Sequence, residues 1–158
     1  VARAVESLPD DVDIVLVHDA ARPLVDRATI DRCVLAAASG VGAVAGVPAV
    51  DTLKQVEAGE PESDHGPRVT GTPDRSRLWH AQTPQAFPAD LIRRALARED
   101  LLAAATDDAS LVEAIGGTVV MVLGHPRNLK VTRPDDLPMA EMHLAGLRAE
   151  SAAREESP

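Results

Sequence analysis

The sequence predicts an α/β layered fold, and two observations support this prediction. Nearly continuous apolar runs occur at residues 12–17, 41–47 and 118–123, and such runs are typical of strands covered on both faces. Segments with apolar residues at helical spacing lie between them, and Gly40 and Gly116 follow two of these segments. An alternation of buried strands and amphipathic helices indicates a layered α/β sheet.

The first elements predict a strand, a helix and a second strand. Residues 12–17 form the first strand, and Asp26 can cap a helix that continues to about residue 39. The buried stripe of this helix is predicted to be Ile30, Val34 and Ala37. Gly40 ends the helix, and residues 41–47 form the second strand. This order predicts a parallel pair joined by a right-handed crossover.

Residues 49–77 break the alternation and predict a projecting arm. Residues 52–56 and 68–72 are short strand-like pieces. Residues 57–67 between them are polar and rich in turn formers, so they have little to bury. We expect them to form the tip of a hairpin or loop.

The remaining elements resume the layered pattern, so we expect residues 1–150 to form one domain. A strand is predicted at residues 78–82, and a helix at 90–98 buries Leu91, Ala95 and Leu96. Thr106 is predicted to cap the next helix, whose first turn holds Asp107 and Asp108. The last predicted elements are a buried strand at 118–123, a short strand or loop at 128–132, a helix from Pro134 with Leu137, Ala140, Leu144 and Leu147 inward, and a disordered tail at 151–158.

Composition excludes several classes of function. The net charge of -9 argues against a nucleic-acid partner, because duplex binding requires clustered cations. A single cysteine, Cys33, excludes an internal disulfide and a cysteine-based zinc cluster. No apolar run approaches the roughly 20 residues of a membrane span. Aromatic residues make up only 1%, so we expect a core of Ala, Val, Leu and Ile.

Polar residues directly after the first strand are candidates for ligand binding, because ligands of open α/β sheets bind beyond the carboxyl ends of strands. Asp19 can hold Mg²⁺ or a ribose hydroxyl, or it can be a turn aspartate that binds backbone N–H groups. Arg22 can grip a phosphate in a bidentate manner, or pair with a neighbouring aspartate. His18 is interpreted as a packed or hydrogen-bonded residue rather than a general base, because no nucleophile pattern accompanies it.

Lys130 is the second candidate. It lies in an apolar alternation just before the last helix, where it can neutralise charge on a transferring phosphoryl group or simply be a solvated edge lysine. Asp107 and Asp108 are better explained by helix capping than by a metal site. Taken alone, the residues indicate an α/β domain for a phosphate-bearing ligand. They do not name a reaction, and they leave only weak signals at the other polar positions beside the arm, namely Thr52, Arg75 and Thr83.

Several segments in the same order resemble the 2-C-methyl-D-erythritol 4-phosphate cytidylyltransferases of the non-mevalonate isoprenoid pathway. The resemblance spans nearly the whole chain before the tail. The matching segments are Val-His-Asp-Ala-Ala-Arg-Pro at 17–23, Val-Pro at 47–48, Asp-Thr-Leu-Lys at 51–54, Asp-Arg at 74–75, Leu-Trp-His-Ala-Gln-Thr-Pro-Gln-Ala-Phe at 78–87, Thr-Asp-Asp-Ala-Ser at 106–110 and Asn-Leu-Lys-Val-Thr-Arg-Pro-Asp-Asp-Leu at 128–137.

The resemblance implies a Rossmann-like nucleotidyltransferase fold, a three-layer sheet with a projecting β-arm for dimerisation. It also implies transfer of CMP from CTP to methylerythritol 4-phosphate with release of pyrophosphate, a Mg²⁺ cofactor, a homodimer and a cytoplasmic location. The substrate phosphate is the nucleophile, so positioning and charge neutralisation carry the catalysis.

Roles for individual residues also follow from the resemblance. Lys130 and Arg75 are the implied catalytic residues, and Asp19 is the implied metal ligand. Thr52 and Arg75 belong to an arm that reaches the partner's active site. The implied substrate-binding set is Asp19, Arg22, Thr52, Arg75, Thr83, Thr106 and Lys130.

Two departures from the family pattern limit these expectations. The family's Gly-rich CTP loop and a further lysine do not occur in this sequence, so we expect the chain alone to be inactive. Arg127 stands where relatives often carry an acidic or small residue, which puts a second metal ligand in doubt. The alternatives are a ribitol 5-phosphate cytidylyltransferase and a non-catalytic dimerisation or binding fragment.

Overall fold

The structure, a computed structural model, describes residues 1–58 and 66–155. It separates into two compact units, one formed by Val1–Gly46 with Ala81–Pro158 and the other by Val47–His80. The helices are α1 Ala2–Glu6, α2 Arg27–Ala38, α3 Ala89–Leu96, α4 Glu99–Leu102, α5 Asp108–Ala114 and α6 Leu137–Glu155. The strands are β1 Ile14–Val17, β2 Gly42–Pro48, β3 Gln55–Val56, β4 Val69–Gly71, β5 Trp79–Pro88 and β6 Val119–Leu123, and Arg75–Arg77 and Pro134–Asp136 are 3₁₀ helices.

The larger sheet has the strand order β1-β5-β2-β6. β1 runs antiparallel to β5 with Val17 opposite Gln85, and β2 runs parallel to β6 with Gly42 opposite Val119. The predicted direct pairing of β1 with β2 is therefore wrong, because β5 lies between them. The sequence places this strand at residues 78–82, whereas β5 continues to Pro88. Two glutamines and two prolines interrupt its apolar pattern and hide its length.

The core lies between the sheet and the helices that pack on it. Phe87, Ile92 and Val112 are fully buried in one cluster, and Cys33 is fully buried in a second cluster with alanines from β2 and β5. Small aliphatic side chains dominate both clusters, as expected from the low aromatic content. A side chain at Gly42 would force its neighbours to move, because a Cβ there would lie 3.1 Å from the ring of Phe87.

Local signals place most helix ends correctly. Asp26 caps α2 by accepting a hydrogen bond from Thr29 N at 2.8 Å, and Gly40 follows α2 with a φ of +94°. The side chains buried deepest in α2 are Thr29, Cys33 and Ala37. The predicted stripe is therefore correct at Ala37 and wrong by one position at Ile30 and Val34, which are only partly buried. α5 begins one residue later than predicted, because Asp107 rather than Thr106 caps it.

The last part of the chain is more exposed than predicted. In β6, Val120, Met121 and Leu123 are all more than a third exposed, because this strand lies at the end of the sheet order. Along α6, Ala140 is buried whereas Leu137 and Leu144 are exposed. Helix α6 also continues to Glu155, so residues 151–155 are helical and not disordered as predicted; residues 156–158 lie outside the described residues. None of the helices in the described ranges is long and apolar enough to cross a bilayer.

The smaller unit contains the predicted arm segment 49–77. Its β3 and β4 pair antiparallel, with Gln55 opposite Gly71, and Glu57 N donates to Arg68 O at 3.0 Å. Most of the predicted polar tip, residues 59–65, lies outside the described residues. The unit exposes large apolar side chains, namely Val50, Leu53, Val56, Val69 and Trp79.

Candidate active site

A cleft of about 490 Å³ opens at the carboxyl end of β1. It brings together five of the predicted site residues, which come from four separate segments of the chain: Asp19, Arg22, Thr83, Thr106 and Lys130. The other residues that line it are Val1, Val17, Ala81, Gln82, Gln85, Asp107 and Asp108.

The carboxylate of Asp19 lies between two cations. Its Oδ2 is 3.0 Å from Nζ of Lys130 and 3.6 Å from Nε of Arg22. The side chains of Lys130 and Asp19 are 46% and 37% exposed, whereas that of Arg22 is only 12% exposed. A half-exposed ion pair contributes only about 0–1 kcal/mol, so an incoming phosphate can replace Asp19 as the partner of Lys130 at little cost.

Arg22 is held in place by more than this pair. Its Nη1 donates to Asn128 O at 2.7 Å. Burial lowers the pKa of the Arg22 guanidinium, and the nearby Asp19 charge opposes that effect. An arginine starts from so high a pKa that it stays charged. Pairing with Asp19 and binding of a phosphate, the two functions considered for Arg22, are therefore compatible, because the ion pair orients a cation that also lines the cleft.

A short strand or a loop was predicted for residues 128–132. Lys130 lies in an irregular loop, so the second of these two predictions is correct. This loop is joined to the loop after β1, because Val131 N donates to Ala21 O at 2.8 Å. Asp136 accepts hydrogen bonds from Thr132 N and Arg133 N, both at 2.8 Å, and so closes the loop at its far end. Backbone contacts on both sides thus hold the lysine at the cleft.

The hydroxyl of Thr83 joins β5 to the loop after β1. Its Oγ1 accepts from Asp19 N at 3.0 Å and lies 2.9 Å from Nδ1 of His18. The other ring nitrogen of His18 lies 3.0 Å from Arg22 O, which can only accept. This geometry assigns the proton to Nε2 and makes Nδ1 the acceptor from Thr83. His18 is therefore a hydrogen-bonded residue, as predicted, with one ring nitrogen bound to the backbone of its own loop and the other to Thr83 of β5.

The first turn of α5 forms another wall of the cleft. Asp107 Oδ1 accepts from Ser110 N at 2.9 Å, so Asp107 acts as the helix cap, the use favoured for this aspartate over metal binding. Gln85 fixes this cap from β5, since its Nε2 donates to Asp107 Oδ2 at 2.7 Å and its Oε1 accepts from Ala109 N at 3.0 Å. Burial, with the neighbouring charge of Asp107, raises the pKa of the Asp108 carboxyl.

Thr52 and Arg75 lie in the smaller unit. Arg75 opens the 3₁₀ helix Arg75–Arg77, and its Nη1 donates to Val50 O at 2.6 Å. Both residues are exposed. Their roles in catalysis and substrate binding stay predictions.

Arg127 is bound to helix α6. Its Nη2 and Nη1 lie 2.7 and 3.1 Å from the two carboxylate oxygens of Glu150, a bidentate pair. This cation cannot act as a metal ligand, which agrees with the doubt raised by its sequence position. Within residues 1–58 and 66–155, no group of three or more His, Cys, Asp and Glu side chains could hold a metal ion by itself.

Sequence reasoning missed three buried polar residues that support the site. Gln82, Gln85 and Asn128 are 7%, 4% and 0% exposed. The only signal for them is a polar residue inside an otherwise apolar stretch, and that signal is also typical of an exposed loop. Their partners are far away in the sequence, so pattern alone does not find them.

Comparison with known proteins decides the family. A family model described as 2-C-methyl-D-erythritol 4-phosphate cytidylyltransferase matches residues 1–146. The chain belongs to this family. Its Rossmann-like α/β fold of the nucleotidyltransferase type is shared with solved members, as the resemblance implied.

Curated relatives carry the same name. A protein of Geotalea uraniireducens is 44% identical over 151 residues, which cover 94% of this chain and 60% of the relative. A protein of Streptomyces avermitilis is 49% identical over 148 residues, which cover 90% of this chain and 56% of the relative. The chain thus spans little more than half the length of these two family members.

Solved structures agree. The crystal structure of the family member from Thermus thermophilus superposes with a TM-score of 0.76 at 36% identity, covering 91% of this chain and 67% of that one. The likeness therefore extends over nearly all of this chain.

Proposed function

We propose that this chain carries part of the active site of a cytidylyltransferase, which transfers CMP from CTP to 2-C-methyl-D-erythritol 4-phosphate in non-mevalonate isoprenoid synthesis. One observation carries the proposal. Asp19, Arg22 and Lys130 converge on one cleft at the carboxyl end of β1, in a chain that belongs to the family of that name.

The proposed reaction needs no covalent enzyme intermediate. A phosphate oxygen of methylerythritol phosphate forms a bond to the α-phosphorus of CTP, and the bond from that phosphorus to the bridging oxygen breaks. Pyrophosphate leaves with the electron pair, so the products are CDP-methylerythritol and pyrophosphate. The protein's task is to hold two polyanions in line and to neutralise their charge.

Lys130 and Arg22 suit that task. The amine of Lys130 is half exposed in the cleft, so it can move from Asp19 to a phosphate oxygen as charge develops there. Arg22 is fixed by Asn128 O and supplies a second cation that does not have to be ordered on binding. Thr83 and Thr106 line the same cleft. Thr106 can offer its hydroxyl group to the substrate, whereas the hydroxyl proton of Thr83 is donated to His18, so Thr83 can act there only as an acceptor.

Mg²⁺ is part of this proposal, and the residues present fit it. Mg²⁺ is usually held by one or two carboxylates together with substrate phosphates, so a protein cage is not needed. Asp19 supplies one carboxylate at the cleft, and the described residues offer no cage of their own. Bound to Asp19 and the nucleotide phosphates, the ion would add positive charge beside the reacting group.

A homodimer in which the arm completes the partner's site is also proposed. The smaller unit exposes several large apolar side chains, among them Val50 at 74% and Val69 at 54%. A second copy of the chain would bury such side chains. Thr52 and Arg75 lie in this unit, in keeping with the proposal that they bind methylerythritol phosphate across the dimer, with Arg75 as a catalytic residue.

A cytoplasmic location is likewise proposed from the family resemblance.

A turnover assay tests the proposed function. The protein produced from the full coding sequence is mixed with CTP and Mg²⁺, and pyrophosphate release is followed with either methylerythritol phosphate or ribitol 5-phosphate. Release with the first substrate alone supports the proposal. Release with ribitol phosphate alone identifies the alternative cytidylyltransferase, and no release with either one favours a non-catalytic dimerisation or binding protein. The same assay on residues 1–158 tests the expectation that this chain alone is inactive.

A further inference from the structure

A buried pair of side-chain amides lies directly behind the cleft. Asn128 is fully buried and Gln82 is 7% exposed. Nδ2 of Asn128 donates to Thr83 O at 2.7 Å and to Gln82 Oε1 at 3.2 Å. Nε2 of Gln82 in turn donates to His125 O at 3.0 Å.

The two amides form a hydrogen-bonded relay between Thr83 O and His125 O, and these two carbonyl oxygens determine how each amide is oriented. The carbonyl oxygens of Thr83 and His125 can only accept hydrogen bonds, so each must face an amide nitrogen. Rotating either amide by half a turn would place two acceptors against each other in a buried site, which is costly. The pair therefore has one favourable arrangement, and each side chain has one orientation.

The pair packs closely against Gly124. A Cβ on Gly124 would lie 2.4 Å from Gln82 Oε1 and 3.1 Å from Gly46 N. Backbone of β2 on one side and the residue after β6 on the other thus enclose the glutamine. The absence of a side chain at Gly124 is what allows the amide of Gln82 to lie there.

Asn128 joins this rigid pair to the cations of the cleft. Its backbone oxygen accepts from Arg22 Nη1 at 2.7 Å, and Lys130 follows two residues later. Among the described residues, the buried side-chain atoms that lack a hydrogen-bond partner are Arg22 Nε and Asn128 Oδ1. Both belong to this network, and unsatisfied buried groups are tolerated where function requires the geometry.

We propose that Asn128, braced by Gln82, is a positioning residue that sets the guanidinium of Arg22 and the amine of Lys130 for the phosphates. This inference rests on the proposed function, because it assigns a role within that same site. An asparagine is needed because the position must donate twice, to Thr83 O and to Gln82. A carboxylate of the same size would present oxygens to two acceptors, and an alanine would present nothing.

A double-mutant cycle in the protein produced from the full coding sequence tests the role. We expect Asn128→Asp to lower kcat on the order of 100-fold, the size of effect that small displacements of catalytic groups produce. In a Lys130→Ala background the same change should cause a loss in kcat that is at least about tenfold smaller, because the effects of substitutions at residues that act together do not add. Equal losses in both backgrounds would show a merely structural role and overturn the proposal. Ile92→Val, a buried change in the core cluster away from the cleft, serves as the matched control and should leave kcat within about twofold.

A second measurement does not depend on turnover. The rate at which Lys130 reacts with acetic anhydride is compared by mass spectrometry with that of Lys54, the other lysine of the chain. Loss of positioning separates Lys130 from Asp19, so Asn128→Asp should raise the relative reactivity of Lys130 by about twofold or more, because the carboxylate then no longer covers the amine. An unchanged ratio would contradict the inference. If the unmodified protein transfers no CMP, the proposed function fails, whereas this measurement still reports on positioning.

A third variant covers the case in which Asn128→Asp does not fold. Gln82→Met removes the bridge to His125 without adding a charge, and it is carried through the same cycle and labelling. The inference predicts the same non-additivity with Lys130→Ala. Additive losses with an unchanged Lys130 reactivity would reject it.

Discussion

The amine of Lys130 lies 3.0 Å from the carboxylate of Asp19, although the two residues follow different strands, β6 and β1. The sequence treats them as two separate candidates. Their proximity makes them one electrostatic unit, in which the two charges compensate each other at the cleft. This relationship leads to the first two predictions.

Lys130→Ala removes the half-exposed cation of the cleft. We expect kcat for CMP transfer in the full protein to fall by about 100-fold or more, because a positioned cation stabilises the charge that develops on the reacting phosphate in the transition state. Dimerisation, measured by analytical ultracentrifugation, should change little. Arg27→Ala removes a cation whose side chain is 92% exposed, and it should leave kcat unchanged. Near-normal turnover of Lys130→Ala would refute the role.

Asp19→Asn keeps the size of the side chain and removes its charge. If Asp19 holds Mg²⁺ together with the nucleotide, the Mg²⁺ concentration needed for half-maximal turnover should rise by about tenfold or more. The measurement is turnover against Mg²⁺ concentration at fixed CTP. Asp11→Asn, an exposed carboxylate outside the cleft, is the control. An unchanged Mg²⁺ requirement would remove Asp19 from the metal site.

Thr83→Val replaces a hydroxyl by a methyl group of similar volume. Asp19 N and His18 Nδ1 both lose their partner, so we expect a loss of about 1 kcal/mol or more in the free energy of unfolding, together with reduced turnover. Thr83→Ser retains the hydroxyl and should behave much more like the parent protein. A larger loss for Thr83→Ser than for Thr83→Val would mean that the methyl packing, and not the hydroxyl, is what matters. Chemical denaturation and the turnover assay provide the two measurements.

Asp26→Ala tests how the cap of α2 depends on pH. Partial burial opposes ionisation of this carboxyl, but hydrogen bonds from Thr29 and the charge of Arg32 outweigh it, so the pKa of Asp26 is lowered from its ordinary 3.8. A lowered pKa gives stability that is present above 3.8 and lost as the pH falls through the folded value. The substitution should therefore cost about 1 kcal/mol near neutral pH and less in acid.

Urea unfolding of parent and variant at neutral and acidic pH measures this cost. Asp31→Ala, which removes an exposed carboxylate paired with Arg27, should show little cost at either pH. A cost of Asp26→Ala that does not depend on pH would contradict the assigned ionisation.

Cys33 is fully buried, and burial raises the pKa of its thiol to about 11. The thiol is the unreactive form, so we expect no reaction with a disulfide reagent at mildly alkaline pH while the protein is folded. One thiol should react at once in denaturant. Rapid labelling of the native protein would show that the second core cluster opens locally.

Local signals account for what could be predicted from the sequence. The apolar run that forms β1 and the polar residues after it place Asp19 and Arg22 at a strand end. Asp26 and Gly40 mark the ends of α2, because a cap and a left-handed glycine depend on nearby backbone alone. The residue pattern also marks Lys130, and the family resemblance adds substrate-binding roles for Thr83 and Thr106. All three residues lie at the cleft.

Long-range contacts account for what could not be predicted. β5 inserts between β1 and β2, and its polar residues hold the loops of the site. Thr83 binds the loop after β1, and Gln85 binds the cap of α5. Gln82 holds the loop of Lys130 through its contact with Asn128. In the sequence these residues appear only as polar interruptions. Their burial is tolerated because each finds a partner far along the chain, and sequence periodicity contains no information on such partners.

The sequence by itself therefore determined the layered α/β class, both ends of α2 and the residue types that a phosphate ligand needs. These features depend on local propensity, capping and the period of apolar residues. The tertiary structure alone decided that Lys130 faces Asp19, that β5 separates β1 from β2, and that Asn128 and Gln82 form one buried relay. The physical reason is that ion pairs, strand order and buried hydrogen bonds depend on distances in space, which only the folded chain brings within reach.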